Sequence, residues 1–134
     1  MSANSPTGAV RTWLRVEGLA VLVVSLVLYG HAGFRWGVFA LCLPAPDLAM
    51  VFYLLGTRAG TMGYNVAHNY VLPLSLAVAA LLSGRNVLLG AAFIWTAHIG
   101  MDRALGYGLK YSTSFQDTHL GRIGKTSMPQ DAEA

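Results

Sequence analysis

Apolar residues dominate four stretches of this chain, each near the length of about 20 residues that carries a helix across a bilayer core. The first predicted span covers residues 13–29, with Trp13 and Tyr29 as interfacial aromatics and Gly30, His31 and Gly33 closing it. The second covers 34–55 and is interrupted at Pro44 and Pro46. Two prolines so close remove two backbone donors and push the residue between them away from helical angles, so two short helices joined by a break are expected. Broken backbone at that depth survives only where it is buried in protein or faces water. Residues 56–63 form a turn, or the first turns of a third helix that runs to Leu82. Gly56 and Gly60, then Ala59, Gly63 and Ala67, stand four apart, a spacing that permits close helix contact, and Pro73 is expected to kink the helix mildly. After a turn at residues 83–86 the fourth span covers 87–105.

The pattern predicts an all-α fold, a four-span transmembrane helical bundle with its second span broken at Pro44/Pro46 and a cytoplasmic C-terminal segment. Residues 1–12 are expected to be a flexible tail, 13–111 the transmembrane domain, 112–125 a cytoplasmic segment able to fold onto the bundle, and 126–134 a disordered tail. Composition supports one membrane-embedded domain: 54% of residues are hydrophobic and 11% charged, against about 25% charged in soluble domains. Arg11 and Arg15 ahead of an apolar stretch raise the question of a signal peptide, but Glu17 lies inside that stretch and no small-residue cleavage site follows, so a retained span is expected.

Charge then orients the bundle. Arg11, Arg15, Arg58, Arg103, Lys110, Arg122 and Lys125 fall on the side of the two termini, and only Arg35 and Arg85 on the other, which predicts cytoplasmic termini. No basic run interleaved with aromatics suggests a nucleic-acid surface, and no internal repeat suggests a duplicated transporter half. The expected partner is the lipid bilayer itself. Cys42 is the single cysteine, so no intramolecular disulfide or dithiol chemistry is available, and it reads as a small hydrophobe.

The candidate chemistry lies in the ionisable residues of the apolar stretches: Glu17, Asp47 and Asp102, with His68 and His98. Such groups are costly in hydrocarbon and read as functional-site candidates. At about 1.5 Å per helical residue, and with alternate spans running in opposite directions, all five come out within roughly 5 to 12 Å of the cytoplasmic surface. His98 and Asp102 are four apart and stacked on one helix face, with Trp95 beside them, while Asn65 and Asn69 flank His68. His119, in the string FQDTHLGRIG, adds a third imidazole if its segment folds back over the bundle mouth. Four of these residues also have an ordinary reading. Asp47 after Pro46 fits a helix cap, Glu17 fits a pair with Arg15, His68 fits an interhelical hydrogen bond, and Asp102 fits an interfacial pair with Arg103.

The strings APDLAM (45–50), YNVAHNYVLP (64–73), HIGMDRALGYGLKY (98–111) and FQDTHLGRIG (115–124) resemble those of a family of small bacterial integral membrane proteins, domain-of-unknown-function family 4260. The resemblance covers about residues 14–124 and implies a multi-pass protein of the bacterial inner membrane, with no reaction attached.

Three functions compete. In a metal-dependent, hydrolase-like membrane enzyme acting on a lipid or amphiphile, His68, His98 and Asp102 hold a divalent metal, His119 is a further contact, and Asp47 or Glu17 acts as base. Histidine with carboxylate suits zinc, iron or manganese. In a small proton-coupled transporter, Glu17 binds a proton or cationic substrate in turn. In a non-catalytic scaffold or accessory subunit, the polar residues only specify the bundle.

Overall fold

The computed structural model describes residues 8–111 and 117–123. Helix α1 (Gly8–His31) begins five residues before the expected span, so its first turns carry Arg11 and Arg15. Helix α2 (Trp36–Cys42) follows the left-handed turn at Gly33. At Leu43 and Pro44 the α-helix gives way to a 3₁₀ helix, Ala45–Leu55. Eleven residues is long for this tighter geometry, which is usually confined to three or four and marks strain or function when extended. Its three-residue period brings Asp47, Met50 and Tyr53 onto one line.

Helix α3 (Thr57–Ala67) and helix α4 (Val71–Ser83) are separated at residues 68–70, where a kink at Pro73 was expected. The proline explains the shift. Its ring opposes the carbonyl of Asn69, four residues earlier, and its missing donor costs nothing in the first turn of a helix, so the chain breaks before Pro73 and restarts with it inside that turn. Helix α5 (Asn86–Leu105) is capped by Gly106 at φ 94°, a left-handed conformation suited to glycine. Beyond it, strands β1 (Asp117–Thr118) and β2 (Gly121–Arg122) form a short antiparallel hairpin, a small departure from the all-α expectation. Of the expected tail at 1–12, residues 8–12 belong to α1 and 1–7 lie outside the described residues, as do the expected tail at 126–134 and residues 112–116 and 124–125 of the expected cytoplasmic segment.

Three segments are long and apolar enough to cross a membrane: 8–31, 36–55 and 57–83. Their outward residues, among them Val23, Val27, Leu41, Leu54, Leu81 and Leu82, are exposed large hydrophobics. Helix α5 is not among the three. It packs against α1, α4 and the 3₁₀ helix, and buries His98 and Arg103 along with Ala92, Ile94, Ala97 and Ile99. A helix enclosed by others has no need of an apolar surface all round, which is why α5 can carry the polar residues.

Helices α1 and α5 run antiparallel, with Arg15 donating to the Ala104 carbonyl at 2.8 Å and Gly18 against Arg103. At their crossing a Cβ on Gly100 would lie 2.8 Å from the Gly18 carbonyl oxygen and 2.8 Å from the Leu22 amide nitrogen, so the two backbones touch. The predicted small-residue face of α3 receives rings instead of a backbone: Gly60 lies under Tyr53 and Gly63 under Phe52. At the far end of the bundle Tyr29 packs with Phe34, Trp36 and Phe39 at centroid separations of 5.1 to 5.2 Å, and its hydroxyl donates to the Arg35 carbonyl.

Candidate metal centre

His68 sits at the end of α3 with φ −113° and ψ 17°, where the helix stops and its last carbonyls lose their partners. Side chains replace those partners one by one. Asn69 Nδ2 donates to the carbonyls of Asn65 and Val66, both at 2.8 Å, and Trp95 Nε1 donates to Ala67 O at 2.6 Å. Arg103 Nη2 donates to His68 O at 3.0 Å. Two of these four residues' partners stand on α5, so the break in the third segment is held against the helix that carries His98 and Asp102. Satisfying exposed carbonyls in this way is what allows a broken helix inside a bundle.

The His68 ring is fixed in turn. It stacks on Tyr64 at 3.8 Å and 10°, and its Nδ1 lies 2.9 Å from the Tyr64 carbonyl. A carbonyl only accepts, so Nδ1 carries the proton and the neutral ring turns the Nε2 lone pair inward. That lone pair faces Asp47 Oδ1 at 3.2 Å, Asp102 Oδ2 at 3.5 Å and His98 Nε2 at 3.2 Å. His98 Nε2 completes the group, 3.3 Å from each of the same carboxylate oxygens. Both imidazoles are 1% exposed, Asp102 14% and Asp47 49%.

Four acceptor-rich atoms therefore converge with at most one proton, that of His98 Nε2, to share among neutral rings. Such a convergence needs positive charge, from protonated imidazoles or from a cation at the centre. The geometry matches the cation. A tetrahedral site with bonds of about 2.0 to 2.1 Å has ligand-to-ligand edges of about 3.3 to 3.4 Å, and five of the six edges here are 3.2 to 3.5 Å. The sixth, between Asp47 and Asp102, is within 4.8 Å. Both carboxylates line a small cavity of about 200 Å³ with Met50, Tyr64, Tyr107, Lys110 and Ile123. The Asp47–Asp102 edge thus faces the cavity.

Of the residues the sequence singles out, the fold brings together His68, His98, Asp102 and Asp47, with Asp47 at a vertex of the group where the sequence suggested a base. Glu17 lies on an exposed face of α1, outside the group. His119 is also outside it: its Nδ1 accepts from the Leu109 amide at 2.8 Å, holding β1 to the post-helix segment. The ordinary readings of Asp47 and Asp102 do not describe their contacts, since Asp47 makes no cap and Arg103 donates to the carbonyls of His68 and Tyr107. Arg103, Tyr64 and Asn65 are the residues whose supporting roles the sequence did not reveal. Their signal was only a polar residue within an apolar run.

The segment after α5 closes one side of the site. Asn65 pairs with the backbone of Lys110 twice, donating from Nδ2 to its carbonyl and accepting its amide at Oδ1, both at 2.7 Å. Lys110 Nζ stands 4.7 Å from the centre of the Tyr64 ring, a cation–π contact against the ring that stacks on His68. Burial pushes the Lys110 ammonium below the ordinary lysine value, an effect countered in part by Asp102. Asn65→Ala should strip two buried backbone groups of their partners, at about 1 to 3 kcal/mol each. The expected readout is at least a tenfold loss of hydrogen-exchange protection at the Lys110 amide; unchanged protection would mean that the clasp is dispensable.

Burial also lowers the His119 pKa from its ordinary 6.5, with the Arg103 charge acting in the same direction. The docked form therefore favours neutral imidazole. Above pH 6.5 the ring is neutral docked or free and docking is at full strength; below it the free segment takes up the proton first, and docking weakens until the pH reaches the lowered value. Protection of the Leu109 amide should fall with pH in that window and become independent of pH in His119→Ala. A flat wild-type profile would contradict the assignment.

The architecture defines a class: a helical protein with helices apolar and long enough to cross a membrane, packed around a cluster of two buried histidines and two aspartates. The chain belongs to the family described as Domain of unknown function (DUF4260), whose profile matches residues 11–123. No curated protein and no solved structure matches it significantly.

Proposed function

We propose that this protein is a divalent-metal-dependent membrane enzyme of hydrolytic type, working on a lipid or other amphiphile in the cytoplasmic leaflet of the bacterial inner membrane. The observation that carries the reading is the set of five edges of 3.2 to 3.5 Å among His68, His98, Asp47 and Asp102. Zinc, iron and manganese all suit two imidazoles and two carboxylates.

The topology belongs to the same proposal. The antiparallel contact of α1 with α5 supports an even number of crossings, with α5, at 20 residues, as the fourth. The excess of Arg and Lys near the termini supports a cytoplasmic N-terminus for α1 and a cytoplasmic end for α5.

A metal held by the more buried His68, His98 and Asp102 would act as a Lewis acid toward a substrate oxygen, which would take the place of Asp47. The protein's own groups would do the rest. Asp47 is the most exposed of the four, and its second carboxylate oxygen is available to take a proton from water in the adjoining cavity. Tyr107 and Lys110, in the same cavity, offer donors to an oxygen that gains negative charge. The burial of His68 and His98 keeps bulk water from the opposite side. Overall, water adds across the scissile bond, one product taking the hydroxyl and the other the hydrogen.

The full chain, purified in detergent and loaded separately with zinc, iron and manganese, tests this. About one metal per chain is expected, with hydrolysis of a chromogenic octanoyl ester that stops on chelation and returns on reloading. A wild-type chain that binds none of the three would overturn the proposal.

A further inference from the structure

A second cavity, larger and of opposite character, has one end lined by sequence neighbours of the cluster residues. It has a volume of about 710 Å³, within the range of about 300 to 1,000 Å³ typical of small-molecule sites. Its walls come from α2, the start of the 3₁₀ helix and α5, and Arg35 is the one charged residue among them. Tyr29 and Ile94 form its buried floor, while Val38 and Val87 are 45% and 83% exposed, so the cavity is a groove open to the outside of the bundle.

Its position is what gives it meaning. At one end it is lined by Pro46 and Ala67, the residues immediately before Asp47 and His68, and by Ile94 and Trp95, about one helical turn before His98. At the other end it reaches Val87 and Arg35. From His98 to Val87 along α5 is about 16 Å. The polar cavity with Tyr107 and Lys110 therefore meets the cluster through Asp47 and Asp102, while the apolar groove ends one residue away from Asp47 and His68, at Pro46 and Ala67.

We infer that the groove is the chain-binding half of the same site, and that the substrate is a single-chain amphiphile whose alkyl or acyl chain, up to about twelve carbons, lies along α5 with its polar reacting group at the four ligands. Access from the bilayer follows from the exposed rim, since a chain leaving the hydrocarbon enters apolar walls without crossing water. This rests on the metal reading above and adds to it the chemistry and orientation of the ligand. The occupant is argued from the groove's apolar lining and from its end at Pro46 and Ala67, each one residue from a cluster side chain; a second copy of the chain, or bulk lipid alone, would have no cause to respond to a group at the metal.

The test uses alkyl hydroxamates, which carry a metal-binding head on a chain of chosen length. Affinities of acetohydroxamate and dodecanohydroxamate for the metal-loaded full chain are measured in wild type and in Ala91→Phe, which places a ring in mid-groove about 10 Å from His98 along the helix. Taking the ratio of wild-type to variant affinity cancels partitioning into detergent. The ratio should be about 1 for acetohydroxamate and about 50 for dodecanohydroxamate, from the lost burial of about three methylenes at about fourfold each. Val38→Phe narrows the groove from α2 and should act in the same way, covering the case in which Ala91→Phe lowers metal content. A ratio near 1 for both chain lengths in a metal-loaded protein, or a dimer whose dissociation is needed before dodecanohydroxamate binds, would overturn the chain site and leave the metal reading standing. A protein with no metal would overturn both.

Discussion

His98→Ala is expected to reduce the metal bound by the reloaded protein from about one equivalent to below about 0.1, because one vertex of a four-ligand site is lost and its neighbours cannot close over the gap. His68→Ala should be as severe. The expected order below them is Asp102→Asn and then Asp47→Asn, since Asp47 is the most exposed vertex and sits on the 3₁₀ helix rather than on the buried helix α5. Stability should follow occupancy. A metal present at a thousandfold its dissociation constant adds about 4 kcal/mol to the folded state, so chelation should lower the midpoint of unfolding in the wild type and leave His98→Ala unmoved. Elemental analysis and a denaturation series with and without chelator measure both effects. Full occupancy in His98→Ala would show that the ion sits elsewhere.

The same series separates the enzyme from the scaffold. A cluster that only specifies packing should tolerate His68→Leu and His98→Leu made together with Asp47→Leu and Asp102→Leu, because replacing buried charged groups along with their partners by apolar ones is often neutral or stabilising. A metal centre should lose its ion and any hydrolysis while the bundle still folds.

The second large effect is expected at the crossing of α1 and α5. Gly100→Leu should destabilise the fold by about 3 kcal/mol or more, the upper end of the range for overpacking. The reason is the identity of the atoms in the way: a Cβ there would lie 2.8 Å from the Gly18 carbonyl oxygen and 2.8 Å from the Leu22 amide nitrogen, and backbone cannot rotate aside as a side chain can. Relief requires α5 to move away from α1, and α5 carries His98 and Asp102. Metal content should therefore fall together with stability, although no ligand has been changed. Gly37→Leu serves as the control, since a Cβ at Gly37 meets nothing within 4 Å. Equal stability of the two variants in a denaturant series would remove the close crossing from the account.

The amphiphile site extends the same logic. A chain lying in the groove would touch α2, the 3₁₀ helix and α5, and so would bridge three elements. The pH-dependent docking of His119 and the Asn65 clasp concern the opposite side, where the post-helix segment lines the polar cavity through Tyr107 and Lys110.

Much of this was legible along the chain. Apolar runs, glycine punctuation and the proline pair marked the helical segments, because helix length and hydropathy are properties of contiguous residues. The same runs exposed Asp47, His68, His98 and Asp102 as anomalies, since an ionisable group among apolar neighbours stands out without any knowledge of the fold. The i, i+4 pair of His98 and Asp102 followed from helical period alone. What could not be read was which anomalies meet. Glu17 and His119 carried the same signal as the four that converge, and they were set apart by the rotation of α1 and by the Leu109 amide that occupies His119. Convergence depends on the break at residues 68–70, on carbonyls capped from another helix by Trp95 and Arg103, and on a glycine crossing that sets the spacing of α1 and α5. The sequence by itself determined the helices and the candidate ligands, because both are local. Only the tertiary structure decided the tetrahedron and the groove beside it, because an edge of about 3.3 Å is the sum of rotations and contacts spread over four segments of the chain.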